Sequence, residues 1–304
     1  MVDKVAVVTG GGQGIGRALV EKFGAEGMKV VIADVVPDLV EATTGELRDQ
    51  GLEVIGVVTD VTSLESVEAL RDATLEAYGA AHLICNNAGI GSGSEGQIWE
   101  HHVNDWRWSL DVNVMGVVNG INAFVPTLIA QDEDGHVVNT TSSNGGFTPL
   151  INSTVYATTK AAVTTITECL WGQLREVGAK VSASLLYPST TSPGMLNTGI
   201  WRPGANRPDK YDRPGAAPKD GRDALTPYLQ RMAAAGMEVQ FAPLSEVADI
   251  CFQGIINDTF WITAPSAPQE QKIRDRAASQ IERNDPEYLL QANMMASRPT
   301  DNKA

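Results

Sequence analysis

Short apolar runs alternate with longer amphipathic stretches over the first 190 residues. Several runs are apolar almost throughout, which is typical of strands in a sheet that is covered on both faces. The intervening stretches repeat their apolar positions at helical spacing. This alternation predicts an α/β fold, a single doubly wound domain with a parallel sheet and helices on both faces. The predicted strands are 5–9, 29–33, 53–58, 82–86, 136–140 and 181–187, and the predicted helices are 16–26, 38–50, 64–78, 106–129 and 156–176.

The alternation stops after residue 187. The segment at about 189–243 is rich in Pro and Gly, with one helix-like stretch at 223–235. Long irregular insertions of this kind usually form lids or binding loops. One domain over 1–304 is therefore predicted, with a substrate-loop insertion at about 189–243 and a C-terminal helical extension at about 266–304. After the insertion, a helix, a short strand and a charged helix are predicted at 245–256, 260–263 and 270–283.

Charge narrows the classes of partner. Acidic residues outnumber basic ones by 37 to 23, which gives a formal net charge of -14 and a pI near 4.7. A chain this acidic repels phosphate backbones and anionic lipid, so neither nucleic acid nor a membrane surface is expected as a partner. Apolar runs stay short of the ~20 residues that a bilayer-spanning helix requires.

Three cysteines, Cys85, Cys169 and Cys251, are widely spaced and odd in number. They match neither a metal-ligand spacing nor a disulfide framework, and they indicate reduced thiols. The first residues run directly into a strand pattern, without the charged head and apolar centre of a signal peptide. A cytoplasmic protein without a metal site is expected.

Glycines crowd the turn after the first predicted strand. Segment 9–16 reads Thr-Gly-Gly-Gly-Gln-Gly-Ile-Gly and opens directly into a helix. Glycine lets backbone amides approach a pyrophosphate, and the helix N-terminus adds partial positive charge. The position at the first strand–helix junction is the context of a dinucleotide site. The residues expected to hold the dinucleotide here are Gly10, Gly12, Gln13, Gly14, Ile15 and Gly16.

Asp34 ends the second predicted strand, 18 residues after Gly16. Its carboxylate can accept hydrogen bonds from the adenosine ribose, and it would repel a 2′-phosphate. Neither Gln13 nor Val35 supplies a cation for such a phosphate. NAD is therefore expected as the cofactor in preference to NADP.

Three motifs together resemble the short-chain dehydrogenase/reductase family. They are Thr-Gly-x-x-x-Gly-x-Gly at 9–16, Asn-Asn-Ala-Gly at 86–89, and Tyr156-x-x-x-Lys160, in family order and at family spacing within 4–190. The resemblance implies a Rossmann-like fold and an NAD-dependent oxidoreductase. It also implies a homodimer or homotetramer, with the two long predicted helices as candidate interfaces. Further cofactor contacts implied by the resemblance are Asp60 and Val61 at the adenine, and Asn87, Ala88 and Gly89 on the ribose side.

Tyr156 and Lys160 are four residues apart and therefore share one helix face. The pKa of a free tyrosine is near 10, which makes it a poor base at neutral pH. A cation within ~4–6 Å lowers the pKa of such a phenol by about 1–3, with further help from a positive nicotinamide ring. The pair is expected to provide general acid/base catalysis and to contact the cofactor. By the resemblance, Asn113 holds a water near the lysine and completes a proton relay.

Two adjacent serines follow the fifth predicted strand, and either could orient the substrate oxygen. Counting from the strand start at Gly135 places Ser142 at the family position. Counting back the common family spacing of 13 residues from Tyr156 gives Ser143. A strand end fixes geometry more firmly than a loop does, so Ser142 is the expected catalytic serine.

The segment after the sixth strand departs from the family pattern, in which Pro-Gly precedes a threonine that reaches the nicotinamide carboxamide. Here residues 188–194 read Pro-Ser-Thr-Thr-Ser-Pro-Gly. Pro188 and Thr191 are the expected cofactor contacts, with Ser192 as the alternative to Thr191.

The insertion carries several aromatic residues, among them Trp201 and Tyr211, which suits a bulky, partly apolar substrate. Segments 116–120, 124–126 and 207–211 resemble bacterial Cα-dehydrogenases of lignin-derived aryl ether alcohols. Three cations of the insertion could meet a substrate carboxylate, but they are expected to face water. They are Arg202, Arg207 and Lys210.

The expected activity is NAD-dependent interconversion of a bulky, aromatic or apolar secondary alcohol and its ketone. Tyr156 and Lys160 assist the hydride transfer. Two alternatives stay open, an NADP-dependent ketone reductase and a catalytically silent nucleotide-sensing regulator. The intact Tyr156–Lys160 pair weighs against the regulator.

Overall fold

A parallel seven-stranded sheet forms the centre of the protein in a computed structural model. The structure describes residues 1–91, 96–202, 204, 206–213 and 223–291. Parts of the predicted insertion and C-terminal extension, at 203, 205, 214–222 and 292–304, lie outside the described residues. The strands are β1 (Val5–Thr9), β2 (Lys29–Asp34), β3 (Val54–Val58), β4 (Leu83–Asn86), β5 (Gly135–Thr140), β6 (Val181–Leu186) and β7 (Trp261–Ile262).

The predicted helices form with boundaries shifted by a few residues, and the helix at 64–78 matches residue for residue. Ser63 caps that helix by accepting a hydrogen bond from the Ser66 amide, and Gly79 ends it in the left-handed conformation. The described helices are α1 (Gly14–Ala25), α2 (Pro37–Asp49), α3 (Leu64–Tyr78), α4 (Val103–Leu110), α5 (Gly116–Ala130), α6 (Thr154–Glu176), α7 (Leu225–Ala234), α8 (Leu244–Ile256), α9 (Ala267–Glu282) and α10 (Tyr288–Gln291).

The strands lie in the order β3-β2-β1-β4-β5-β6-β7, and all neighbouring strands are parallel. The chain therefore crosses the sheet between β3 and β4 and continues on the other side of β1. At such a switch point, the loops that follow the two central strands diverge and leave a crevice at their carboxyl ends. The glycine-rich turn after β1 and the segment after β4 border this crevice.

Helices cover both faces of the sheet. On one face, α1 and α8 bury Leu19 and Phe252 against the strands, together with Leu47 of α2. On the other face, α3, α5 and α6 bury a second apolar cluster that includes Leu70 and Phe124. Each such side chain contributes about 1.5–3 kcal/mol when it is buried. The predicted doubly wound, Rossmann-like fold is confirmed.

The long helix predicted at 106–129 is interrupted. Between α4 and α5 lies a single π-turn (Asp111–Met115), in which the amide of Gly116 donates to the carbonyl of Asp111. The flanking helices keep their apolar spacing, so the sequence pattern gives no sign of the extra residue. Turns of this kind are often found at functional sites.

The span Val103–Ala130 is long and apolar enough to cross a membrane, and its most apolar window of 18 residues has a mean hydropathy of 1.5. Half of its most apolar window is buried inside the protein. In that window Phe124 and Leu128 of α5 pack on the sheet. A core helix of a soluble protein can have this same composition, and the burial of this window indicates that the span is part of the core. The expectation that apolar runs stay short of the ~20 residues of a membrane-spanning helix is wrong for this span.

The insertion leaves the sheet after β6 and returns before α8. Its two ends are joined at Met195, whose amide donates to the Gln240 carbonyl and whose carbonyl accepts from the Ala242 amide, at 2.8 and 3.0 Å. Two short 3-10 turns, Gly199–Trp201 and Asp209–Tyr211, lie within the insertion. The joined base fixes where the insertion approaches the crevice.

Candidate active site

A cleft of about 580 Å³ opens at the carboxyl ends of the central strands. It lies at the crevice that the strand order creates. Fourteen of the predicted site residues line it, from the glycine turn to the Tyr–Lys pair. They are Gly10, Gln13, Gly14, Ile15, Gly16, Asp34, Asp60, Val61, Asn87, Ala88, Gly89, Tyr156, Lys160 and Pro188. Gly12, Asn113, Ser142 and Thr191 are not among its lining residues.

The glycine turn has no room for side chains at its tightest points. Gly10 takes a left-handed φ of 65°, and a Cβ there would lie 2.9 Å from the Cα of Ala88. A Cβ on Gly16 would lie 2.0 Å from the Gly10 carbonyl oxygen. No side chain caps the N-terminus of α1, so its first amide groups are left for another acceptor. The geometry fits a phosphate group at the helix end.

Thr9 ties the glycine turn to the segment that follows β4. Its hydroxyl donates to the Cys85 carbonyl at 3.3 Å and accepts from the amides of Asn87 and Ala88, both at 3.0 Å. The Asn87 side chain donates in return to the Thr9 carbonyl at 3.0 Å. These bonds hold the two sides of the cleft at a fixed separation.

Asp34 is 7% exposed at the end of β2. Its two carboxylate oxygens accept from the amides of Gly12 at 3.1 Å and Val36 at 3.2 Å. Burial raises the pKa of Asp34, and these hydrogen bonds oppose that shift. Each oxygen keeps a second lone pair for a ribose hydroxyl. Gly12 therefore acts on the site through Asp34.

Asp60 and Val61 line the cleft just after the end of β3. The Asp60 carboxylate accepts from the amide and hydroxyl of Thr62 at 2.9 and 2.8 Å. The buried Asn119 of α5 donates to the Val61 carbonyl at 2.8 Å. In the sequence, Asn119 is distinguished only as part of segment 116–120, and the structure shows that its hydrogen bond fixes the position of Val61 at the cleft.

Tyr156 and Lys160 lie on one face of α6, as their spacing predicts. The Lys160 ammonium is 5.7 Å from the centre of the Tyr156 ring and donates to the Thr140 carbonyl at 2.9 Å. The hydroxyl of Ser142 is hydrogen bonded to the Tyr156 phenol. Ser143 is exposed at the start of a wide turn (Ser143–Phe147). Of the two candidate serines, the structure thus brings Ser142 to the tyrosine.

Burial has the largest influence on the pKa values of Tyr156 and Lys160. It raises the pKa of Tyr156 to about 12, and the hydrogen bond from Ser142 opposes that shift. Burial lowers the pKa of Lys160 to about 8. The pKa of Tyr156 therefore stays above its usual value in this structure, although the Lys160 ammonium lies nearby.

Asn113 lies in the π-turn and is fully buried. Its side chain bonds to both backbone groups of Ile90, at 2.8 and 3.0 Å, and donates to the Thr159 hydroxyl at 3.1 Å. A Cβ on Gly89 would lie 3.4 Å from both the Asn113 Oδ1 and the Lys160 Nζ. The structure thus places Asn113 across Gly89 from the lysine.

Thr191 is exposed and turned away from the cleft. Its amide donates to the Glu246 carboxylate at 2.8 Å, and its hydroxyl bonds to the same carboxylate. The alternative, Ser192, also donates to Glu246. In the described part of the insertion, Thr198 lies next to the glycine turn, and a Cβ on Gly14 would be 3.5 Å from the Thr198 Cβ. The Pro- and Gly-rich segment carries no periodic signal that could have identified it.

The three cations of the insertion differ in their surroundings. Lys210 is exposed, as expected, and Arg202 is exposed but lines the cleft. The expectation that Arg207 faces water is wrong, because its side chain is 3% exposed and bonds to the Asp105 carboxylate at 2.6 Å. These two residues are 102 positions apart, so no local pattern reveals their contact.

A glycine-lined cleft at the switch point of a doubly wound sheet, with a Tyr–Lys pair in its lining, is the arrangement expected of an oxidoreductase of this fold class. Residues 4–202 match the family model described as short chain dehydrogenase. The chain belongs to this family, whose members use NAD or NADP. The resemblance drawn from the three sequence motifs is confirmed.

Individual relatives agree with the family assignment. An uncharacterized oxidoreductase of Staphylococcus aureus strain N315 is 36% identical over 200 residues, which cover 66% of this chain and 81% of the relative. A short-chain dehydrogenase/reductase of Burkholderia phymatum, solved in complex with NAD, is 38% identical with a TM-score of 0.81, covering 94% of this chain and 96% of that one. The apo form of LigD from Sphingobium sp. strain SYK-6 is 25% identical with a TM-score of 0.71, covering 94% and 99%. The LigD likeness is consistent with the narrower resemblance to Cα-dehydrogenases.

Proposed function

We propose that this protein is an NAD-dependent dehydrogenase that interconverts a bulky, aromatic or apolar secondary alcohol and its ketone. The observation that carries the proposal is the Tyr156–Lys160 pair in the lining of the glycine-lined cleft, with Ser142 beside Tyr156. A phenol with a serine hydroxyl beside it and an ammonium 5.7 Å from its ring centre can bind an alcohol oxygen and remove its proton.

The residues present fit a dinucleotide. The α1 amides and the glycine turn would hold the pyrophosphate, and Asp34 would accept from the adenosine ribose. Asp60 and Val61 would border the adenine, and Asn87 to Gly89 the ribose side. When bound, NAD⁺ supplies the hydride acceptor and a positive ring. Thr198, which lines the cleft beside Gly14, would contact the cofactor near the pyrophosphate.

The chain's own groups handle the proton. Tyr156, as the phenolate, accepts the hydroxyl proton of the alcohol, and Ser142 donates a hydrogen bond that holds the alcohol oxygen. Lys160 stabilises the phenolate by its charge. Asn113 fixes Ile90 and the adjacent Gly89, and with a bound water it links Lys160 to solvent.

The preference for NAD rests on Asp34. The Asp34 carboxylate is buried and already accepts two amide hydrogen bonds, and among the described residues no ion pair joins it to a cation that could bind a 2′-phosphate. Such a phosphate would place negative charge against negative charge. The Burkholderia relative, solved in complex with NAD, agrees with this preference.

The proposal of a bulky substrate rests on the rings near the cleft. Trp201 contacts Tyr228 with ring centres 5.6 Å apart, and the neighbouring Ile200 lines the cleft itself. Apolar walls with a few convergent polar groups suit an aromatic or aliphatic alcohol. The resemblance of segments 116–120, 124–126 and 207–211 to Cα-dehydrogenases favours an aryl alcohol in particular.

The test is a screen of secondary alcohols with NAD⁺ and NADP⁺, followed by the absorbance of the reduced cofactor. We expect aryl alcohols to exceed 2-propanol in kcat/KM by about tenfold or more, since a larger apolar group buries more surface. Faster turnover with NADP⁺ would favour the ketone reductase alternative. Dinucleotide binding without turnover of any alcohol would favour the regulator.

The same screen includes the variant Asp34→Asn, which removes the charge and keeps the shape of the side chain. We expect it to narrow the preference for NAD over NADP by about tenfold or more, because one like-charge repulsion is lost. An unchanged cofactor preference would remove Asp34 from this role.

Replacing Lys160 with methionine should shift the pH profile of alcohol oxidation. The ammonium favours the phenolate, so its loss raises the pKa of Tyr156 and moves the rising limb to higher pH by about 1–3 pH units. The measurement is kcat against pH, and Lys160→Arg serves as the control because it keeps the charge. Identical profiles for wild type and Lys160→Met would refute the role.

The proposed partner is a small-molecule alcohol or ketone, and the proposed assembly is a homodimer or homotetramer. Large apolar side chains stay exposed on the helices that were predicted as interfaces. These include Leu110, Met115 and Ile129 on the 103–130 span and Trp171 on α6, each 37–43% exposed. The proposed location is the cytoplasm, consistent with unpaired cysteine thiols at Cys85 and Cys251.

A further inference from the structure

Residues 206–213 of the insertion pack against α4 and the π-turn, and we call this segment the clasp. It contains the 3-10 turn Asp209–Tyr211 and lies more than 90 residues along the chain from the helix that it contacts. Its contacts with α4 and the π-turn include a buried ion pair, side-chain hydrogen bonds and an arginine near a tryptophan ring. These contacts distinguish it from a loop that merely lies on the surface.

The central contact is a buried ion pair. Asp105 of α4 is fully buried, and Arg207 donates to it at 2.6 Å and also to the Tyr211 carbonyl at 2.8 Å. Arg213 reaches the second oxygen of the same carboxylate at 3.4 Å. The Arg207 guanidinium lies 5.1 Å from the centre of the Trp108 ring. A charge pair removed from water in this way is costly unless its geometry is held, so it specifies one docked position.

Two further bonds hold the clasp at its C-terminal half. The Tyr211 hydroxyl donates to the Asp111 carboxylate in the π-turn, and the Asn104 side chain donates to the Asp212 carbonyl at 3.1 Å. Tyr211 is 8% exposed. The clasp is therefore anchored at Asn104, Asp105 and Asp111, along α4 and into the π-turn.

The other side of the clasp faces the dinucleotide cleft. Asn206 and Pro208 line the same cleft as Asp60 and Val61, and the adjacent Trp108 also lines it. Tyr211 of the clasp contacts the π-turn, and Gly116 at the end of that turn packs against Val61, since a Cβ on Gly116 would lie 2.9 Å from the Val61 side chain. The clasp thus borders the end of the cleft that was assigned to the adenosine half of the cofactor.

We propose that the clasp retains the adenosine half of the bound dinucleotide, and that Arg207 is the residue that positions it through Asp105. The inference rests on the proposed function, because it takes the cleft to be a dinucleotide site. Dinucleotide release then requires the clasp to separate from α4. A residue that acts in this way changes the release of the cofactor and leaves the Ser–Tyr–Lys chemistry unchanged.

The experiment compares wild type with Arg207→Met by stopped-flow fluorescence of NADH. We expect NADH to leave the variant about tenfold faster, with a matching rise in Kd, since changes at one interface are expressed mostly in the off-rate. The KM for the alcohol and the rate of hydride transfer in a single turnover should stay within twofold of wild type. Arg231→Met, an exposed arginine on α7 of the same insertion, is the matched control and should release NADH at the wild-type rate.

Binding of cofactor fragments shows which half of the dinucleotide is affected by the loss of Arg207. AMP and ADP-ribose carry the adenosine half, and nicotinamide mononucleotide carries the other half. In displacement of NADH, Arg207→Met should weaken the first two by about the same factor as NAD and leave the third unchanged. Equal weakening of all three would show a general loss of structure and overturn the assignment to the adenosine half.

Arg207→Lys provides a second variant, because it keeps the charge against Asp105 but cannot also donate to the Tyr211 carbonyl. It should give an intermediate release rate, and it keeps the test decisive where Arg207→Met does not fold. The proposed role of the clasp is overturned if a folded variant releases NADH at the wild-type rate, whether or not its KM for the alcohol is raised. Failure of the wild type to bind NADH would instead overturn the proposed function.

Discussion

Replacing Tyr156 with phenylalanine should lower kcat by roughly 10³-fold while the Kd for NADH stays within about twofold, since a positioned acid/base group typically contributes 10²–10⁴-fold. The substitution removes only the hydroxyl group. The ring that faces the Lys160 ammonium at 5.7 Å remains, so the packing of α6 is preserved. The measurements are steady-state alcohol oxidation and NADH fluorescence titration on the same preparation.

A matched control is Tyr187→Phe. Tyr187 is also buried, with its pKa likewise raised to about 12, but its ring stacks on Phe147 and does not line the cleft. Its loss of a hydroxyl should leave kcat near the wild-type value. If Tyr156→Phe keeps substantial turnover, or if both variants lose activity equally, the phenol of Tyr156 is not the acid/base group.

The substitution Gly16→Ala should abolish dinucleotide binding. The new Cβ would lie 2.0 Å from the Gly10 carbonyl oxygen and 2.8 Å from the Asn87 side-chain nitrogen. The backbone of the glycine turn has to move, which opens the amide cradle and costs about 1–3 kcal/mol of overpacking. We expect the Kd for NADH to rise at least about 100-fold, beyond what the stability loss explains, because the displaced amides no longer meet the pyrophosphate. Denaturant unfolding and NADH titration separate the two effects.

Gly172→Ala is the corresponding control. Gly172 lies inside α6, four residues before its last residue, and outside the adjoining helix backbone no atom lies within 4 Å of its Cβ position. Alanine is favoured over glycine in a helix by about 1 kcal/mol, so this variant should gain stability and bind NADH as wild type does. Normal NADH binding by Gly16→Ala would show that the glycine turn does not approach the cofactor.

The sequence predicted the fold well because apolar periodicity is a local property. β1 and α3 have the predicted bounds, and the other central strands differ by one or two residues. The π-turn at 111–115 escaped prediction because it inserts one residue between helices of unchanged pattern. It changes which way Asn113 faces without changing the hydrophobic pattern.

For the candidate site, too, positions near a strand end could be predicted from the sequence, and positions in the insertion could not. Residues adjacent to a strand end, such as Asp34 and Ser142, lie where counting from the strand places them. Thr191 lies elsewhere, since the Pro- and Gly-rich insertion has no repeating geometry from which to count. The burial of Arg207 depends on Asp105, and a contact across 102 positions leaves no trace in either local sequence.

The order of the strands has a consequence for how such an enzyme can diverge. The groups proposed to contact the adenosine half of the cofactor, Asp34 at the end of β2 and Asp60 after β3, lie on one side of the switch point. The groups proposed to transfer the proton, Ser142 and Tyr156, follow β5 on the other side. Under the proposed function, nucleotide choice and proton chemistry therefore occupy separate halves of one sheet. Substitutions in either half can accumulate independently, so a lineage can exchange its coenzyme while its reaction persists.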